Sequence, residues 1–368
     1  MRRSFLPLVF LSALVFAPVF GPVEAAAAQA TGITYTITKT IPLGPPDRWD
    51  YMSYDAPSGR LYVSHGDRVT VVDGKSGAIL GAVEGLPGGT HGIAIAPGSG
   101  RGYTDDGKAG IAASFDVNTF RIVHRITAEP DADGVLYDPP SGHIFVIDGD
   151  SGKLTAIDPK TDSVIANIDG GGGLEFGLSG DNGKLYINGA EKNEIVRIDT
   201  ATNKADAHWP LPGCQRPHGI ALDHATHRLF SSCVNKVLLV VNSDTGAVVA
   251  TLPIGAGSDA ARFDPTRKLI FSSNREGTLS VISEASPNRY TPLAPVATQF
   301  GARTMALDPQ SGRIYLVTAD FTVNPNAAAS DARHRYTVTP GSVRLLFLDP
   351  ALRLRQGSGG QGASPNPP

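Results

Sequence analysis

The chain has 368 residues, including 42 Gly and 28 Pro, and a formal charge of −3. That density of turn formers lies below what disorder requires, and a closed array of repeats of this length is a single domain. No basic run or stripe is present, which removes the electrostatic footprint of a nucleic-acid-binding protein.

The first thirty residues read as an export leader. Arg2 and Arg3 precede an apolar run from Phe5 to Phe20 and then small residues from Ala25 to Ala30. A charged start, an apolar core and an A-x-A-like end describe a secretory signal peptide. The run is short for a membrane span. No second apolar run follows, and no Cys follows the leader to carry a lipid. The expectation is a monomer that spans no membrane, periplasmic or secreted after removal of residues 1–30.

Residues 33–43 form a strand before the first repeat begins. From there the chain repeats itself. The fifth unit, Arg216 to Leu252, contains four short apolar runs separated by turn residues: Ile220-Ala221-Leu222, Arg228-Leu229-Phe230, Val237 to Val241, and Val248 to Leu252. None is long enough for a stable helix, and each reads as a strand. Aligned on the second strand, the copies start at Arg60, Arg101, His143, Lys184, Arg228, Lys268 and Arg313, at steps of 41, 42, 41, 44, 40 and 45. A period of about 40–45 residues with four strands is that of a propeller blade. The predicted fold is therefore all-β, a seven-bladed β-propeller of four-stranded antiparallel blades spanning residues 31–350. The seventh unit lacks a fourth strand, and the spare N-terminal strand is expected to pair there and close the ring.

Aspartates recur at the turns. Asp55, Asp138, Asp223, Asp264 and Asp308 precede the first hairpin of their units, and Asp73, Asp116, Asp158 and Asp199 end third strands. Recurrence at one register assigns them to turn capping. Two stretches break the pattern. An Ala- and Asn-rich insertion runs from about 321 to 339 in the last unit, and a Gly-, Ser- and Pro-rich tail at 351–368 is expected to be disordered. Cys214 and Cys233 lie in one unit, on connections that emerge on the same face of a blade, and are expected to form a disulfide; two buried free thiols are the alternative.

Chemistry concentrates at one register. Nine or ten residues before each second strand stand Asp50, His91, Asp133, Glu175, His218, Asp259 and Arg303. Each begins an innermost strand, so a closed propeller gathers them around one mouth of the channel. Converging carboxylates raise one another's pKa, attract a cation, or are bridged by Arg303. Asp133 and Asp259 suit calcium, and His91 and His218 favour zinc or another transition metal. Loops after the second strands are expected to add a second layer, His65, Asp106, Asp148, Asn188 and Asn274, on the same face, with the 321–339 insertion overhanging the mouth. Capping of neighbouring backbone is the structural reading of the same ring. No G-x-S-x-G, H-E-x-x-H or phosphate-cradling loop is present, and Trp49 and Trp209 are too few for quinoprotein docking motifs.

The units resemble a known group. Arg60-Leu61-Tyr62-Val63-Ser64 followed by Val69 to Asp73, Asn193 to Asp199, Gly246 to Gly255 and Gly301 to Pro309 are similar to the YVTN repeat of YncE-like bacterial seven-bladed propellers, over residues 33–349. The resemblance implies the fold and export, and assigns no activity. The functional expectation is a non-catalytic scaffold that binds a small ligand, peptide or protein on the ring face. A metal-assisted hydrolase or lyase of lactones or esters at the same ring is the alternative.

Overall fold

The structure, a computed structural model, describes residues 32–327 and 335–352. The expected leader at 1–30 and the tail from 353 onward lie outside the described residues. Among the described residues no helix is long and apolar enough to cross a membrane.

Seven antiparallel sheets follow one another in chain order: 52–83, 93–127, 132–169, 174–210, 217–253, 258–297 and 305–352, here blades 1 to 7. Within each blade consecutive strands pair as neighbours. Blade 7 takes its outermost strand from the other end of the chain. Ile33–Pro42 pairs antiparallel with Arg344–Leu352, from Ile33 opposite Leu352 to Pro42 opposite Arg344. This is the closure that the spare strand suggested. The pairing carries the strand two residues past the expected boundary at 350, because Ala351 and Leu352 find partners in Thr34 and Ile33. In blade 6 the fourth strand is split into Arg289–Pro292 and Val296–Ala297, with Pro292 and Pro295 unable to donate to the ladder.

The core lies between blades. Seven apolar clusters occupy the seven blade–blade interfaces. The one that completes the ring packs Met52, Leu61 and Val63 of blade 1 against Ala306, Tyr315 and Phe347 of blade 7. The third residue of each repeat anchor supplies the wedge: Tyr62, Tyr103, Phe145, Tyr186, Phe230, Ile270 and Tyr315 are fully buried. Burying each such side chain contributes roughly 1.5–3 kcal/mol. Several tyrosines also reach across the interface with their hydroxyls. Tyr103 donates to Asp162 (2.5 Å), Tyr186 to the Ser243 carbonyl (3.0 Å) and Tyr315 to the Gly74 carbonyl (2.9 Å). The recurrent aspartates cap their turns: Asp73 accepts from the Ser76 N–H (2.6 Å), Asp116 from Thr119 (2.7 Å) and Asp199 from Thr202 (2.8 Å).

Cys214 and Cys233 are joined in a disulfide, with Cα atoms 5.6 Å apart. The insertion in blade 7 begins and ends as a small hairpin, Phe321–Val323 against Tyr336–Val338; residues 328–334 lie outside the described residues.

Candidate functional site

All seven ring residues stand at or just before the start of an innermost strand, as the register requires. Two glycines make that approach close enough. A Cβ on Gly92, next to His91, would lie 2.1 Å from the Val135 backbone nitrogen of the next blade, and one on Gly219, next to His218, 2.3 Å from that of Ala261. Only glycine lets neighbouring inner strands meet there, and each His–Gly step thereby sets its imidazole at the mouth.

The ring divides into two groups. In the first, ligating atoms of Asp50, His91 and Asp133 all lie within 4.8 Å of one another. His91 Nδ1 donates to Asp105 Oδ1 at 2.8 Å, and Asp105 also accepts the backbone N–H groups of His91 and Gly92 at 3.0 and 2.6 Å. Burial alone would lower the His91 pKa, but the Asp105 hydrogen bond and the charges of Asp105, Asp50 and Asp133 outweigh it and lift the imidazole to about 9. Burial, with the neighbouring carboxylates, raises Asp133 well above the carboxylate range, and burial raises Asp50 against the pull of Arg303. Arg48 Nη2 is 3.4 Å from His91 Nε2.

The second group is already paired. His218 Nδ1 donates to Asp259 Oδ1 at 2.8 Å, with Glu175 Oε1 3.5 Å from its Nε2, and Arg303 Nε lies 3.2 Å from Asp259 Oδ2. Burial works against the Asp259 anion, but Arg303 and His218 overcome it and hold its pKa down. Arg216 Nη2 approaches Glu175 at 3.8 Å from a loop tied down by the Cys214–Cys233 bridge. Of the four residues expected as metal ligands, His91 and Asp133 thus join Asp50, whereas His218 and Asp259 belong to the paired group.

Beneath the ring, side chains cross the channel. Tyr51 packs on Phe176 with centroids 5.0 Å apart, and the Arg262 guanidinium lies 4.8 Å over the same ring. Burial, then the charges of Asp133, Glu175, Asp259 and Asp50, drive the Tyr51 hydroxyl pKa upward, so this phenol stays protonated under the ring. Burial pushes Arg262 down to about 10.

The expected second layer is buried in the blades. His65 binds Thr70 and the Gly44 carbonyl, Asp148 accepts from Thr155, Asn188 donates to the His218 and Gly219 carbonyls, and Asn274 donates to Thr278 and Ser280. Asp106 is buried, and its Oδ1 has no hydrogen-bond partner among the described residues. Of these, Asn188 holds the His218 backbone, whereas His65, Asp148 and Asn274 bond to groups away from the ring. The charged groups that sequence reasoning missed are Asp105, Arg48, Arg275 and Arg262. Only Asp105 left a signal: it is a carboxylate at a register where the other blades carry Ser64, Ile147, Asn188, Ser232, Ser272 and Val317.

The mouth as a whole is polarised. Over blades 3 and 4 a depression of about 620 Å³ is lined by Asp131, Asp133, Asp150, Glu175 and Glu191, with one cation, Arg216. Over blades 6, 7 and 1 the lining carries Arg48, Arg275 and Arg303, with Phe321 and Tyr336 of the insertion hairpin beside them.

No family model matches the chain, and no curated protein matches it. Solved structures do. One is a chain of hydrazine synthase from Kuenenia stuttgartiensis, at 14% identity and TM-score 0.65, covering 76% of this chain and 94% of that one. Another is a chain of a mitotic checkpoint complex, at 16% identity and TM-score 0.68, covering 94% of this chain and 99% of that one. At these identities the likeness is one of fold, and it supports the seven-bladed propeller.

Proposed function

We propose that this is an exported propeller of the YVTN-repeat type that binds a small ligand on the ring face, with a divalent cation held by Asp50, His91 and Asp133. The observation that carries the reading is the convergence of those three side chains within 4.8 Å, with His91 anchored through Nδ1 on Asp105 so that Nε2 is the nitrogen left to bind a cation. Among the described residues neither the Asp50 nor the Asp133 carboxylate has a hydrogen-bond donor, so a cation would supply the compensation that burial withholds. One imidazole and two carboxylates form a donor set for zinc or a similar transition ion rather than calcium. A tetrahedral zinc with bonds of ~2.1 Å would draw the three atoms to about 3.4 Å apart. Arg48 would swing away from Nε2, and His91 would release its proton. Hydrolysis of an ester or lactone would need this same cation, and no separate observation favours it over binding.

The test is a thermal-shift titration of chelator-treated protein. Zinc is expected to raise the melting temperature by mass action. Asp50→Asn or Asp133→Asn should weaken the effect at least tenfold, while His218→Ala should retain it. An equal shift in all three variants, or none in the parent, would count against the site.

A further inference from the structure

Beside the ring, between blades 6, 7 and 1, lies a pocket of about 220 Å³ lined by Arg48, Arg275, Arg303, Trp49, Phe321 and Tyr336. Its polar groups are nearly all donors. Asp47 also lines it, but Asp47 Oδ1 already accepts the Gly341 N–H at 2.6 Å. Arg303 has Asp259 beside it, at 3.2 Å. Arg275 and Arg48 have no carboxylate within ion-pair distance among the described residues. Arg275 is pressed from two sides, by burial and then by the like charge of Arg303. Trp49 is buried, and its Nε1–H has no acceptor among the described residues. An anion between neighbouring guanidiniums removes their repulsion and accepts from their planar forks.

The other wall is aromatic, and the insertion hairpin builds it. Phe321 stands edge-on to Trp49 at 6.1 Å and to Phe300 at 5.0 Å, and Tyr336 lies 4.5 Å from Phe300. These edge-on and tilted contacts hold the rings against one another as an apolar wall next to the donors. The volume is below the ~300–1,000 Å³ of drug-sized sites, so the occupant is small.

We infer that this pocket binds a small organic oxyanion, a carboxylate or phosphate on a small apolar body, with Arg275, Arg303 and Arg48 taking the oxyanion and Trp49, Phe321 and Tyr336 the body. The inference rests on the reading of the ring face as the binding face, and it does not require the cation.

The experiment is calorimetric titration of the chelator-treated protein with benzoate, phenyl phosphate, inorganic phosphate and uncharged benzamide. Benzoate or phenyl phosphate should bind, and benzamide at least tenfold more weakly. The stronger of the two anions identifies the headgroup. Arg275→Gln should weaken anion binding at least tenfold, and Phe321→Ala should weaken the ring-bearing anions more than inorganic phosphate. If Arg275→Gln does not fold, Arg275→Lys keeps the charge, loses the fork and should still weaken binding. No binding of any anion at millimolar concentration, or affinity unchanged in both Arg275→Gln and Arg48→Gln, overturns the inference. Asp133→Asn separates the two proposals. It should lose zinc and keep the anion, whereas a parent that takes zinc but no anion defeats this inference alone.

Discussion

His91 is joined to Asp105 at the channel mouth: the imidazole Nδ1 lies 2.8 Å from a carboxylate oxygen that is fully buried and also accepts the backbone N–H of His91. The carboxylate thereby fixes both where the ring stands and which nitrogen is left for a ligand.

The pair has a pH signature. The folded His91 pKa, about 9, is above its ordinary value near 6.5. Its contribution to stability is therefore complete below pH 6.5 and is lost as pH rises to 9. Asp133 and Asp50, both raised, act in the same direction as they ionise, and Arg48, the cation facing His91, partly offsets them. Chelator-treated protein should lose on the order of 2 kcal/mol between pH 6.5 and 9. In Asp105→Asn that slope should flatten, and stability at pH 6.5 should fall by about 1–3 kcal/mol, since buried donors lose a charged acceptor. Denaturant unfolding at several pH values measures both; a slope unchanged in Asp105→Asn contradicts the assignment.

Gly92 allows the inner strands of blades 2 and 3 to meet. A Cβ there would sit 2.1 Å from the backbone nitrogen of Val135, which cannot give way as a side chain could. Gly92→Ala should cost at least ~1–3 kcal/mol and should weaken zinc binding by shifting His91. Unchanged stability and affinity would mean that the two strands do not approach as described.

Closure rests on the strand at Ile33–Pro42. Thr38 donates to Asp349 at 2.5 Å, and Arg313 grips the same carboxylate at 2.6 and 3.0 Å. Deleting residues 33–42 bares the edge of blade 7 and should produce aggregation visible by light scattering. A deletion variant that remains monodisperse and melts with the parent refutes the closure.

The disulfide spans 19 residues. Replacing both cysteines with serine should lower stability by roughly 3 kcal/mol in the chain-entropy view, read as a shifted denaturation midpoint.

Much of this molecule was legible because it repeats. The anchor triplets from Arg60 to Arg313 gave the period, and their third residues are the buried wedges between blades. The missing fourth strand and the spare N-terminal one gave the closure. The ring was legible because its seven members share a register. Arg48 and Arg275 lack that advantage: at the register of Arg48 only Arg216 is also basic, at that of Arg275 only Lys108, and only the closed ring brings them to Arg303. The second layer shows the opposite limit. Register told where His65, Asp148 and Asn188 leave their strands, but not that their side chains would turn to hydrogen bonds within the protein. The division of the ring into one paired and one unpaired group was likewise invisible, since it depends on Arg303 reaching Asp259 while Asp50 and Asp133 are left to each other.

The site proposed for a cation is Asp50, His91 and Asp133. Its most direct measurement is anomalous diffraction at the zinc absorption edge from crystals soaked in dilute zinc. A peak is expected within about 2.0–2.2 Å of His91 Nε2 and of an oxygen from each aspartate, with Arg48 displaced. A peak at His218, or no ordered peak at the channel mouth, would contradict it.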